Sequence, residues 1–153
     1  MTPASIRNRN PSAMYPCPSS KKFGSTSYET LRSKDGVHKI ATFPTSEHGA
    51  AAQFDLLLRV YAGMTVKAAI TKWSGGHYVD TYLGVLQKRA GIASDTVLTK
   101  ERLSDPDFAL RLAKAMAWQE AGRDYPMDDE GWLEGHQMAF GTVASAPNWS
   151  PEN

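Results

Sequence analysis

From Thr45 onward, apolar residues recur every three or four positions, and glycine or proline interrupts the pattern. Pro44-Thr45-Ser46-Glu47 reads as a helix start with Thr45 as N-cap; Phe54, Leu57, Leu58 and Tyr61 follow at helical spacing, and Gly63 stops the run. Thr65 caps a second predicted helix with Val66, Ala69, Ile70 and Trp73, broken by Gly75-Gly76. A third, about 78–90, carries Tyr78, Val79, Tyr82, Val85 and Leu86 and ends near Gly91. After a short capped turn from Thr99 to Leu103, Asp105-Pro106 opens a strong helix through Gln119, with Pro106 at the first helical position and Gly122 as terminator.

The stretch before Thr45 has a different pattern. Pro11, Pro16, Pro18 and Gly24 punctuate a Ser/Thr-rich run, and two β-prone pieces, 28–33 and 37–43, flank Lys34-Asp35-Gly36. Asp-Gly between two such pieces predicts a hairpin within an otherwise irregular region. The segment after Arg123 is acidic, with Asp124, Asp128, Asp129, Glu130 and Glu134, yet Trp132, Leu133, Met138 and Phe140 give a short helix, about 129–139, an apolar face to dock. The expected architecture is α+β, mostly α, with a small N-terminal β region. One domain is expected over 1–140: a β/loop region at 7–44, a helical body at 45–122 and a docking segment at 123–140. Residues 141–153 read as a mobile tail.

Composition narrows the chemistry. At 153 residues, 41% apolar, the chain carries material for one core and no apolar run that spans a bilayer. Seventeen Lys and Arg against sixteen Asp and Glu argue against a nucleic-acid binder. The lone Cys17 excludes an internal disulfide and a cysteine-based metal site, and lying between two prolines with no helix expected after it, it is not favoured as a nucleophile. His38, His48, His77 and His136 are dispersed, so no metal and no cofactor is expected, and neither a Gly-x-Ser-x-Gly elbow nor a phosphate-binding loop is present. The N-terminus lacks an apolar signal-peptide core, so synthesis in the cytoplasm is expected, without membrane insertion and as a monomer.

Glu120 is the most informative residue. Counting back by helical steps gives Ala117, Met116, Ala113, Leu112 and Ala109, so Glu120 ends an inward-facing apolar stripe. Desolvation and the negative end of the helix dipole both raise its pKa there. A carboxyl protonated near neutrality is what a general acid needs to protonate a glycosidic oxygen, and Ala121-Gly122 leaves room for a sugar chain. The bland reading is a helix-end glutamate in solvent or paired with Arg123.

The order of several motifs shifts that balance. Arg9-Asn10-Pro11 within IRNRNPSAMYP resembles the Arg-Asn-Asn-Asn-Pro-Gly-Asn opening of a family of phage and prophage peptidoglycan hydrolases, endolysins among them. Residues 43–73 resemble that family's Phe-x-x-x-Glu-x-Gly helix start and the Thr-led helix ending in Trp. Tyr78, residues 81–92 and AKAMAWQEAG (113–122) follow in the family's order, over roughly 7–125. The pieces also resemble soluble lytic transglycosylases with the order rotated: Gln119-Glu120-Ala121-Gly122 is similar to their Glu-Ser-Gly helix end and YLGVL (82–86) to their Tyr-Val-x-x-Val-Leu segment. The resemblance implies a circularly permuted lysozyme-like fold and cleavage of peptidoglycan glycan strands by a lytic transglycosylase or muramidase. Delivery to the cell wall would then follow lysis, injection or specialised export. Ser12-Ala13 stands where the family has Gly-Asn, and Ala121 where it has Asn or Ser.

Glu120 is the expected general acid and base. A muramidase commonly uses a second carboxylate, for which Glu47 and Glu29 are the candidates; Asp35 is expected to be held in its turn. The scarcity of acids in 7–46 favours a transglycosylase. Asn10, Tyr15, Tyr78 and Tyr82 are the candidate substrate contacts, whereas Trp73 and Trp118 read as core. The alternative is a catalytically inactive glycan-binding or virion- or secretion-associated structural module of lysozyme-like fold.

Overall fold

The computed structural model describes residues 1–141, so the expected tail lies, apart from Gly141, outside the described residues. The fold is α+β and mostly α. Two short helices, α1 (Ala4–Arg7) and α2 (Pro18–Lys22), precede the hairpin β1 (Ser27–Ser33) and β2 (Gly36–Thr42). The helical body follows: α3 (Ser46–Leu56) with a π-helical turn (Leu57–Tyr61), α4 (Val66–Trp73), α5 (Val79–Ala90), α6 (Lys100–Ser104), α7 (Pro106–Ala121) and α8 (Asp129–Phe140).

Most boundaries follow from capping chemistry. Thr45, Thr65 and Thr99 each accept a hydrogen bond from a backbone N–H three residues on, as does Asp128 at the start of α8. Gly91 and Gly122 close α5 and α7 in the left-handed conformation. The hairpin pairs Ser33 with Gly36 and runs antiparallel to Ser27 opposite Thr42. Two expectations fail. The helix from Thr45 is not uniform, because its last turn widens to π geometry, within which Leu57 and Tyr61 are buried. Cys17 does precede a helix: it is the N-cap of α2, where its backbone N–H bonds Ser20 Oγ.

The core has α7 along its middle. Leu112 and Met116 meet the buried faces of α4, α5 and α6, while Ala109, Ala113 and Ala117 meet Phe54, Tyr125 and Trp132. A third cluster, Met14, Phe23, Ala41, Phe43, Ala51 and Ala52, joins the N-terminal region to α3. α8 lies across α3, where a Cβ on Gly135 would come within 2.8 Å of Ala50 Cβ. Phe54 packs edge-on against Trp132 and His136. Part of the acidity of the 123–140 segment is used on the surface, where Asp124 pairs with Arg89 and Asp129 with Lys114.

α3 also receives the loop that follows α1. A Cβ on Gly49 would lie 2.2 Å from Arg9 O and 2.8 Å from Pro11 Cδ, so only glycine lets the loop seat there. Gly49→Ala is expected to destabilise the fold by at least about 2 kcal/mol in chemical denaturation, as overpacking against rigid backbone does.

Candidate active site

The loop after α1 is held by two buried asparagines. The Asn10 side chain accepts from Met14 N–H at 3.0 Å and donates to Met14 O and Ala41 O at 3.0 and 2.8 Å. Asn8 donates to Ala4 O and Glu29 and accepts from the Thr42 hydroxyl at 2.6 Å. These bonds lock the loop to β2 and keep Arg9 and Ala13 at φ of 52° and 53°, which side chains resist. The loop between α4 and α5 is strained in the same way: Tyr78 has φ 54° after Gly75 and Gly76.

Between these two loops lies a cleft of about 710 Å³. One wall comes from α1, the loop and the start of α2, with Ser5, Ser12, Ala13, Met14, Tyr15 and Cys17. The hairpin extends it with Leu31, Ser33, Asp35, His38 and Ile40. The other wall comes from the helical body: Tyr61 of the π-helical turn, Lys72 and Trp73 of α4, His77 and Tyr78 of the loop, Tyr82 of α5, and Gln119 and Glu120 of α7.

Glu120, near the C-terminal end of α7, lines this cleft. The phase of the α7 stripe turns it inward, and its carboxylate accepts a hydrogen bond from the buried Tyr82 hydroxyl at 3.1 Å. No cation pairs with it among the described residues. Desolvation pushes its pKa up to about 7, against the opposing pull of the Tyr82 bond. Burial and the adjacent carboxylate in turn drive the Tyr82 phenol well above its ordinary value, so it stays a donor. The arrangement is a carboxyl shared between protonated and ionised forms at neutral pH, at the edge of the cleft.

The other candidates divide. Tyr15 and Tyr78 are exposed on the cleft walls, and the Tyr15 hydroxyl bonds His38 Nδ1. Asn10 does not reach the cleft: it is fully buried and its amide is spent on backbone groups. Glu29 shares the hairpin face of Leu31 and Ser33, but Arg7 and Asn8 draw it aside at 2.7 Å each. That pairing with Arg7, then Asn8, holds its pKa low, the opposite of what a proton donor needs. Glu47 stands in the first turn of α3 against Gly131 of α8, away from the cleft. Neither candidate second acid therefore faces Glu120; the acid that shares its cleft is Asp35, in the exposed hairpin turn.

Several cleft residues escaped the sequence reading. Trp73, read as core, packs on Tyr61 with ring centroids 5.3 Å apart and still shows an edge to the cleft. Trp118, by contrast, lies under the Arg89 guanidinium and off the cleft. Tyr61 belongs to the helical series after Thr45 and also lines the cleft, while Ser5, Ser12 and Lys72 carry no pattern that periodicity reports. Among the described residues, no three His, Cys, Asp or Glu side chains group as metal ligands would, and no helix is long and apolar enough to cross a membrane. No protein-family model and no curated protein matches the chain.

The raised pKa of Glu120 has a stability consequence whose sign is fixed. The folded protein holds this proton up to about pH 7, whereas the unfolded chain releases it near 4.5. Stability from this group is therefore lost as pH rises from 4.5 to about 7 and stays lost above. Glu120→Gln, which carries no charge, is expected to be more stable than the native protein at about pH 8, by on the order of 3 kcal/mol at most. The advantage should vanish towards pH 4.5, read by denaturant unfolding across that range.

Proposed function

We propose that this protein cleaves the β-1,4 bond between N-acetylmuramic acid and N-acetylglucosamine in peptidoglycan, with Glu120 as proton donor and then proton acceptor. The observation that carries this reading is a carboxyl with a pKa near 7 opening into a cleft built from the segments that resemble peptidoglycan hydrolases. Glu120 protonates the glycosidic oxygen, the bond to C1 breaks and the leaving sugar departs as an alcohol. The Glu120 carboxylate then takes the proton of the C6 hydroxyl, whose oxygen closes on C1 to give the anhydro sugar. Tyr82 steadies the anion between the two steps and fixes one carboxylate oxygen, leaving the other for substrate.

A transglycosylase is favoured over a muramidase because neither Glu29 nor Glu47 is in the cleft, and the one other acid there, Asp35, sits in the exposed hairpin turn. The fold proposed is the lysozyme-like one, circularly permuted. Its support is the order of motifs and the meeting of the permutation points: Arg123, just after α7, donates to Met1 O at 3.5 Å, and α1 packs against α7. The substrate is reached after lysis, injection or specialised export. The second reading, a glycan-binding or structural module without activity, is favoured by Ser12-Ala13 where the family has Gly-Asn.

Purified sacculi should be cleared by the native protein and release anhydro-ended muropeptides in mass spectrometry. Glu120→Gln should lower the rate by at least about 10²-fold while still folding. Reducing-end products would convert the reading to a muramidase, and binding without clearance would replace it with the inactive module.

A further inference from the structure

Charge is not spread evenly along the chain. Residues 1–44 carry seven Lys and Arg against two acids, Glu29 and Asp35, whereas the remainder carries ten against fourteen. Part of the N-terminal excess is already used: Arg7 pairs with Glu29, Lys22 with Asp55, and Arg9 Nε donates to Phe43 O. Much of what is left lies on the hairpin. Its register sets Tyr28 opposite Ala41, Thr30 opposite Lys39 and Arg32 opposite Val37. Opposed residues of an antiparallel pair share a side of the sheet, so Tyr28, Thr30, Arg32, Val37 and Lys39 form one exposed outer face. The inner face, with Leu31, Ser33, His38 and Ile40, lines the cleft.

The outer face has a definite chemistry. Arg32 and Lys39 make no ion pair among the described residues, and no acid shares their side of the sheet. They sit on diagonal positions of the two strands, about 7–8 Å apart. The Lys39 ammonium lies 5.0 Å from the centre of the Tyr28 ring, and Lys34 adds a third cation in the exposed turn. Tyr28 and Val37 are 50% and 55% exposed. Cations so spaced suit carboxylates carried on a short peptide: the guanidinium takes one in a two-point bond, the ammonium takes another as a point charge, and Val37 and Tyr28 cover methyl groups between them. A nucleic acid fits less well, because Lys39 already covers the one ring on which a base would stack. A lipid surface fits less well too, because three cations fall short of the cluster of about four to eight that such binding uses.

We propose that the outer face of the hairpin, outside the cleft, docks the protein on the carboxylate-bearing peptide stems of peptidoglycan. The choice of this polyanion rests on the glycan-cleavage reading. The hairpin is a single layer whose tip reaches the cleft through Ser33 and Asp35, so a glycan strand held against the inner face sends its stems around that tip, to Arg32, Lys34 and Lys39. Docking there keeps the protein on the wall between cleavages and leaves Glu120 untouched. Because the contacts are exposed ion pairs, they weaken as salt rises.

The test uses the full chain, with Arg32→Glu and Lys39→Glu combined, and with Arg32→Gln and Lys39→Gln as the milder pair should charge reversal disturb folding; melting temperature is the folding control. Binding is read by co-sedimentation in a Glu120→Gln background, so that the wall stays intact. The probes are untreated sacculi, sacculi stripped of stems by an amidase, and sacculi freed of teichoic acid by hydrofluoric acid. Protein with the native hairpin should bind untreated and acid-treated sacculi alike. Its affinity should fall about tenfold or more on stem-free glycan, in high salt, or with the reversed pair. A reversed pair that sediments as the native hairpin does would overturn the docking surface even if cleavage is confirmed. Binding that survives stem removal, or that is lost after hydrofluoric acid, overturns it as well, the latter in favour of a phosphate polymer. Displacement of the bound protein by an oligonucleotide in preference to a stem peptide would give the face to nucleic acid instead. Absence of binding to any sacculi also overturns it. Stem-dependent binding lost in the reversed pair, with no clearance by protein that retains Glu120, would sustain the docking surface and remove the cleavage reading.

Discussion

Burying a carboxyl next to apolar side chains is unfavourable for its ionised form, and the inward stripe of α7 makes that burial unavoidable for Glu120. Ala109, Leu112, Ala113, Met116 and Ala117 are needed inside to join the helical body to α8. One more helical turn carries the same face to Glu120, where the core gives way to the cleft. The acid is therefore held in place by the packing that holds the protein together, and its proton affinity is set by that position. Tyr82, buried on α5, supplies the one hydrogen bond that limits the shift.

The opposite wall is built on a different principle. The loop after α1 carries almost no apolar side chain into the core except Met14, and is fixed by Asn8, Asn10 and the close approach of Gly49. Three non-glycine residues adopt left-handed backbone among those described, and two of them, Ala13 and Tyr78, face the cleft. Backbone strain is thus collected on both walls of one groove.

Much of this was legible in the sequence because its signals are local. Thr45, Thr65, Thr99, Pro106, Gly91 and Gly122 mark helix ends through hydrogen bonds made within a few residues, and the Asp35-Gly36 turn marks the hairpin in the same way. Glu120 was found from periodicity, since one helix face carries its neighbours. What was missed depends on distant partners. Asn10 looked like a ligand contact because its amide is polar, and only the positions of Met14 and Ala41 show that the amide is already used. Glu29 looked available until Arg7 was brought beside it. Short helices such as α1 and α2 carry too few residues to display a period, so the Ser5 wall and the α2 cap at Cys17 had no pattern to announce them.

The state of the Glu120 carboxyl is the point on which the catalytic reading turns, and it can be read without substrate. Carbon-13 NMR of the carboxyl, followed through a pH titration of the folded protein and assigned with Glu120→Gln, measures it. A midpoint near 7 is the predicted result. A midpoint at the ordinary glutamate value near 4.5 would mean that water reaches the carboxylate freely, and the proton-donor role would be lost.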